Sequence, residues 1–166
     1  DKDGNFTHKS EMRHLYLQEV EIGNHTLRVL SNLMTRGFFP NLQTLDVGTN
    51  AMDQQGIDYL LEPLRRQELA ELTHLNIGLN KIFHDGLLLV ASAQNLGVFD
   101  RLVELDISDV GCNGDTIALF AKAIIDRFQK GFLSLKRLRV IGYHPFAGKN
   151  VRVMFPEDFL TAVRVT

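Results

Sequence analysis

The chain has 166 residues, enough for one domain with a sizeable core. Its 45% hydrophobic and 23% charged residues are the composition of an ordinary soluble protein. A net charge of −2 makes no electrostatic case for nucleic acid or an anionic membrane, and no apolar run reaches the roughly 20 residues of a bilayer span.

Residues 1–11 read as a polar lead without period, expected to fray. Asp1-Lys-Asp3-Gly-Asn5 matches the first positions of a calcium loop. Phe6 then stands where that loop needs glycine, and Met12 where it needs a bidentate glutamate, so no calcium site is expected.

From Met12 a frame repeats. Met12, Leu15 and Leu17 are followed 30 residues later by Leu42, Leu45 and Val47. Leu72, Leu75 and Ile77, then Leu102, Leu105 and Ile107, keep the same step. Leu135, Leu138 and Val140 follow after 33, making five copies over residues 12–143. The three extra residues are expected near Gln129 to Ser134, where Gly131 permits a loop.

Each copy has two halves. The first alternates, with Leu45 and Val47 inward and Thr44, Asp46 and Gly48 outward, which predicts a half-buried strand. The second has helical spacing. Ile57, Leu60, Leu61 and Leu64 form one face, and Ile117, Phe120, Ala121 and Ile124 repeat it. Leu87, Val90 and Ala91 end on Gln94, and Ser31 interrupts Leu27, Leu30 and Met34. Asp85 and Asp115 are expected just ahead of their helices, as caps. Pro63 is expected to kink or shorten its helix. A strand and a helix every 30 residues bury their apolar faces only by stacking on their neighbours. Because helices are wider than the ~4.8 Å strand spacing, the stack is expected to curve, strands inside and helices outside.

These copies resemble leucine-rich repeats, L-x-x-L-x-L-x-x-N, and their length resembles the ribonuclease-inhibitor-like subfamily. Ile82, Gly56 and Gly86 fit that subfamily's segment ahead of the helix. Asn50 and Asn80 match the asparagine that satisfies backbone groups after the strand, while Val20, Val110 and Tyr143 depart from it. The resemblance implies an α/β solenoid with a curved parallel sheet. It also implies a protein-protein interaction module binding a protein partner on the concave strand face. Ran GTPase activators and the tropomodulin actin-capping domain carry similar repeats, so a GTPase regulator and a cytoskeletal module are the competing implications.

Residues 144–166 leave the frame. Val151, Val153 and Phe155 alternate, and Pro156 in a first turn opens a helix through Phe159 and Leu160. This segment reads as a C-terminal cap or a truncated further repeat. A solenoid's end repeats need a cap or a polar outer face. The short polar lead and the apolar Val163 and Val165 therefore predict a piece of a longer chain, or one that depends on a neighbour.

Chemistry-bearing residues are sparse. His14 and His74 share a strand position two repeats apart, roughly 10 Å by strand spacing, too far to share one zinc. Surface histidines, no metal, no cofactor and no enzyme activity are expected. The lone Cys112 is expected as a small buried thiol and excludes an internal disulfide framework, which favours the cytoplasm. Cys112 and His144 show no nucleophile signature, and Gly131, Gly142 and Gly148 form no phosphate cradle.

The outward strand positions are ordered. One row reads His14, Thr44, His74, Glu104, Arg137, and the next reads Tyr16, Asp46, Asn76, Asp106, Arg139. A third reads Gln18, Gly48, Gly78, Ser108, Ile141. The expected partner-binding residues are Tyr16, Asp46, Asn76, Glu104, Asp106, Arg137 and Arg139. Acids in the middle copies and bases in the fifth predict a bipolar face that orients a charged protein partner.

Overall fold

A computed structural model describes residues 9–140 and 155–166. The calcium-like run and Ile141, Gly142, Tyr143, His144, Gly148, Val151 and Val153 lie outside the described residues. Strands and helices alternate along the chain. β1 is His14–Tyr16, α1 Asn24–Thr35, β2 Thr44–Asp46 and α2 Gln54–Arg65. β3 is His74–Asn76, α3 Phe83–Asn95, β4 Glu104–Asp106 and α4 Gly114–Gln129. β5 is Arg137–Arg139, α5 Glu157–Ala162 and β6 Arg164–Val165.

The strands form one six-stranded parallel sheet in chain order. Leu15, Leu45, Leu75, Leu105 and Leu138 are register partners along it. Consecutive helices α1 to α4 pack on one another. The core lies between the layers, where Leu45, Val47, Leu75, Ile77, Leu105 and Ile107 from the strands are buried together with Ile57, Leu60, Val90, Phe120 and Ile124 from the helices.

The first unit is less complete. Leu15 and Leu17 are only half-buried and Met12 is 40% exposed, whereas Leu42, Leu72, Leu102 and Leu135 are buried. Among the described residues β1 has a strand on one side only, so nothing there covers its outer flank.

Several local expectations change. The three extra residues do not form a loop: α4 has 16 residues where α1 and α2 have 12, about one more turn, so its buried face stays in phase. Gly131, at φ 73°, follows that helix as Gly37 and Gly97 follow theirs, in the left-handed conformation that ends a helix. Asp85 and Asp115 sit inside first turns rather than ahead of them. The caps are Asp53, whose carboxylate accepts from the amides of Gln55 and Gly56, and Asn113, which accepts from Thr116. Asp85 and Asp115 instead place their carboxylates against the positive, N-terminal end of the helix dipole, where negative charge is favoured. Pro63 lies within α2, which continues to Arg65 and matches α1 in length, because the lost amide falls in the final turn. Ser31 is buried on the core face of α1 and does not interrupt it. Pro156 precedes α5 as its cap residue. The C-terminal segment adds a sixth strand, with Leu138 paired to Val165. Phe159 of α5 packs between Phe155 and Phe128, with ring centroids 4.8 and 5.0 Å away.

Candidate functional site: the open face of the sheet

Alternation places the two polar rows on the sheet face opposite the core. There they line a shallow depression of about 380 Å³ running from His14 and Tyr16 to Arg137 and Arg139. All seven expected binding residues line it, so the structure brings them together. Their availability differs sharply.

Asp46 is the clearest correction. It is buried, at 9% exposure, and its oxygens accept from Gln18 Nε2 at 2.6 Å and from the Gly48 amide at 3.0 Å. Asn76 Oδ1 accepts from the Gly78 amide at 2.9 Å, and Asp106 Oδ1 from the Ser108 amide at 2.9 Å. The second row is therefore a ladder of side chains closing turns on the backbone two residues ahead. Residues 48 and 78 have to be small. A Cβ on Gly48 would lie 2.7 Å from Asn76 Nδ2, and one on Gly78 would lie 2.8 Å from Asp106 Oδ1. The shortest side chain thus makes room for the neighbouring unit's turn-closing group.

The bipolar charge pattern is largely cancelled within the protein. Arg137 Nη1 lies 2.7 and 2.8 Å from the two carboxylate oxygens of Glu104. Arg139 Nη1 lies 3.2 Å from Asp106 Oδ2. Register makes these pairs direct cross-strand neighbours. Such half-exposed pairs add at most about 1 kcal/mol each, but they remove the separated charge that would steer a partner.

What remains outward apart from these ion pairs is aromatic and polar. Tyr16 is 60% exposed and stacks on His14, with ring centroids 6.3 Å apart and planes 15° off parallel. His14 Nδ1 is 3.0 Å from Thr44 Oγ1. His74 Nδ1 is 2.8 Å from Thr73 Oγ1, and its Nε2 is 4.0 Å from Glu104 Oε1. Sequence reasoning missed Gln18 and Thr73, whose roles are to hold a carboxylate and an imidazole in place. The signal for Gln18 was its place in the third row, diagonal to Asp46.

Other candidate chemistry is thin. Among the described residues no three His, Cys, Asp or Glu side chains are grouped to hold a metal. Cys112 is half-buried rather than buried, and burial pushes its thiol pKa up, so it is a weak nucleophile at neutral pH. Among the described residues no helix is long and apolar enough to cross a membrane. No protein-family model matches the chain, and neither does any curated protein.

Proposed function

We propose that this chain is a leucine-rich repeat solenoid of the ribonuclease-inhibitor-like kind. In this reading it is a protein-interaction module with no catalysis of its own, and a protein partner docks on the open sheet face. The repeat assignment is supported by the asparagines at 50 and 80. Each donates from Nδ2 to carbonyls of its own turn and of the unit before it.

The observation that carries the binding reading is Tyr16. It is a large exposed aromatic, already stacked on His14 and held by a paired strand, so presenting it costs little ordering entropy. Arg137 and Arg139 flank the far end, exposed beyond their ion pairs. Asn76 and the carboxylates of Asp46, Glu104 and Asp106 shape this reading of the site as its scaffold rather than as free contacts. A wide shallow face of this kind suits a protein better than a small substrate.

The test is capture of a partner by wild type and by Tyr16→Ala combined with Arg139→Glu. The double variant is expected to lose the partner, while Leu119→Ser on the exposed side of α4 keeps it. Retention by the face variant with loss in the helix variant overturns the proposal. Asp46→Lys is a poor probe, because it breaks a turn as well as altering the surface.

A further inference from the structure

Residues 23, 53, 83 and 113 hold the same place in four successive units, immediately before or at the start of a helix. In the second and fourth units that residue is a side-chain cap, Asp53 and Asn113. The fourth cap is followed by Gly114, which makes the one Asn-Gly pair of the chain. In such a pair the glycine amide nitrogen can attack the side-chain carbonyl carbon one residue back, because no Cβ hinders the approach.

The structure suits all three reacting groups to that step. Asn113 is exposed, and a Cβ on Gly114 would meet nothing within 4 Å, so the backbone there is uncrowded. The electrophile is polarised: Asn113 Oδ1 accepts from the Thr116 amide at 3.0 Å and from Thr116 Oγ1 at 2.9 Å. His84 Nδ1 lies against the same hydroxyl, which leaves its proton directed at Asn113. Both donors sit in the first turn of α4, at the positive end of its dipole, where negative charge gathering on Oδ1 is stabilised. The nucleophile is unengaged, since Gly114 N is one of the first-turn amides that a helix leaves without a carbonyl. The leaving group, Asn113 Nδ2, makes no hydrogen bond among the described residues. Asn50 and Asn80 are the contrast. Their Nδ2 atoms donate to carbonyls on both sides of the unit boundary, and Ala51 and Lys81 follow them.

We propose that Asn113 is a self-modification site, converted by deamidation to aspartate and isoaspartate. Gly114 N bonds to Asn113 Cγ and gives up its proton to solvent. The Cγ–Nδ2 bond breaks, and the nitrogen leaves as ammonia with a proton from water. The cyclic imide so formed takes up one water at either of its carbonyls. The net change is one water consumed and one ammonia released, with no oxidant or reductant. Opening on one side gives aspartate, the cap that the second unit already uses at Asp53, with its charge at the favoured end of the dipole. Opening on the other side gives isoaspartate, in which the side-chain carbons have entered the backbone and the cap is lost. Time thus divides the protein into a form with a strengthened start to α4 and a form with a loosened one.

The experiment incubates the full chain in mildly alkaline buffer and maps its peptides by mass spectrometry, with fragmentation that separates aspartate from isoaspartate. Asn113 is expected to deamidate at least tenfold faster than Asn50 and Asn80. Gly114→Ala, which has room for its Cβ, slows the reaction at least tenfold while the circular dichroism stays that of the folded protein. Thr116→Val removes one donor to Oδ1 and slows it several-fold in the folded chain, whereas both proteins react equally in urea. Should Thr116→Val fail to fold, the rates of wild type with and without urea decide the same point. No excess over Asn50 and Asn80, a wild-type rate in Gly114→Ala, equal rates of folded wild type and folded Thr116→Val, or a more than tenfold acceleration of wild type by urea each overturns the proposal.

Discussion

The side-chain amide of Asn80 donates to the backbone carbonyl of Val47, 33 residues earlier, at 3.0 Å. The same Nδ2 reaches Ile77 O at 3.0 Å and Gly78 O at 3.1 Å, and Oδ1 accepts from the Met52 amide. Two amide hydrogens are thus shared among three carbonyls. Asn80 is buried, so Asn80→Ala leaves backbone groups dry and unpaired. Its cost is expected to be about 3 kcal/mol. Asn50→Ala removes an analogous set but from a half-buried site, and should cost less. Urea unfolding of both variants checks the order; equal stability to wild type would remove the ladder from the account.

Leu75 and Leu15 hold equivalent register positions with different burial. Leu75→Ala is expected to cost roughly 2–5 kcal/mol, as a cavity in a closed core. Leu15→Ala should cost less than half as much, because Leu15 already meets solvent. Thermal unfolding of the two variants reads the difference directly.

Gln67 follows α2 at φ 60°, where α1, α3 and α4 are followed by Gly37, Gly97 and Gly131. The closing bonds are present at all four, including Glu68 N to Pro63 O at 3.0 Å. Gln67 is exposed, so its side chain is not needed for the core. Gln67→Gly should therefore stabilise by about 1 kcal/mol, because the left-handed conformation costs glycine nothing in steric terms. A lower melting temperature would show that the unfolded-state entropy of glycine outweighs the relief.

Gln94 is wholly buried in α3, and neither amide atom has a hydrogen-bond partner. The matching positions in α2 and α4 are Leu64 and Ile124. Gln94→Leu should stabilise by roughly 1–3 kcal/mol, the desolvation cost of an unpaired amide. Calorimetry decides it. A destabilised variant would mean that the amide holds a partner such as an internal water.

By itself the sequence determined the repeating unit. The 30-residue frame, the change of period from two to helical, and the buried leucines follow from burial alone, which is a property of spacing. It also determined that seven polar side chains share one face, since alternation along a strand is local. Only the tertiary structure decided what those side chains do. Asp46, Asn76 and Asp106 turn back onto their own backbone, and Glu104 and Asp106 meet the arginines of the next strand. Whether a surface carboxylate is free depends on donors that register brings from another unit, and a pattern of residue types does not carry that distance. The same holds for Phe83. Its frame position beside Asp53 and Asn113 was legible, but its exposure, its left-handed backbone and the approach of its ring to Gly111 one unit away were not, because contact between units is not a property of local spacing.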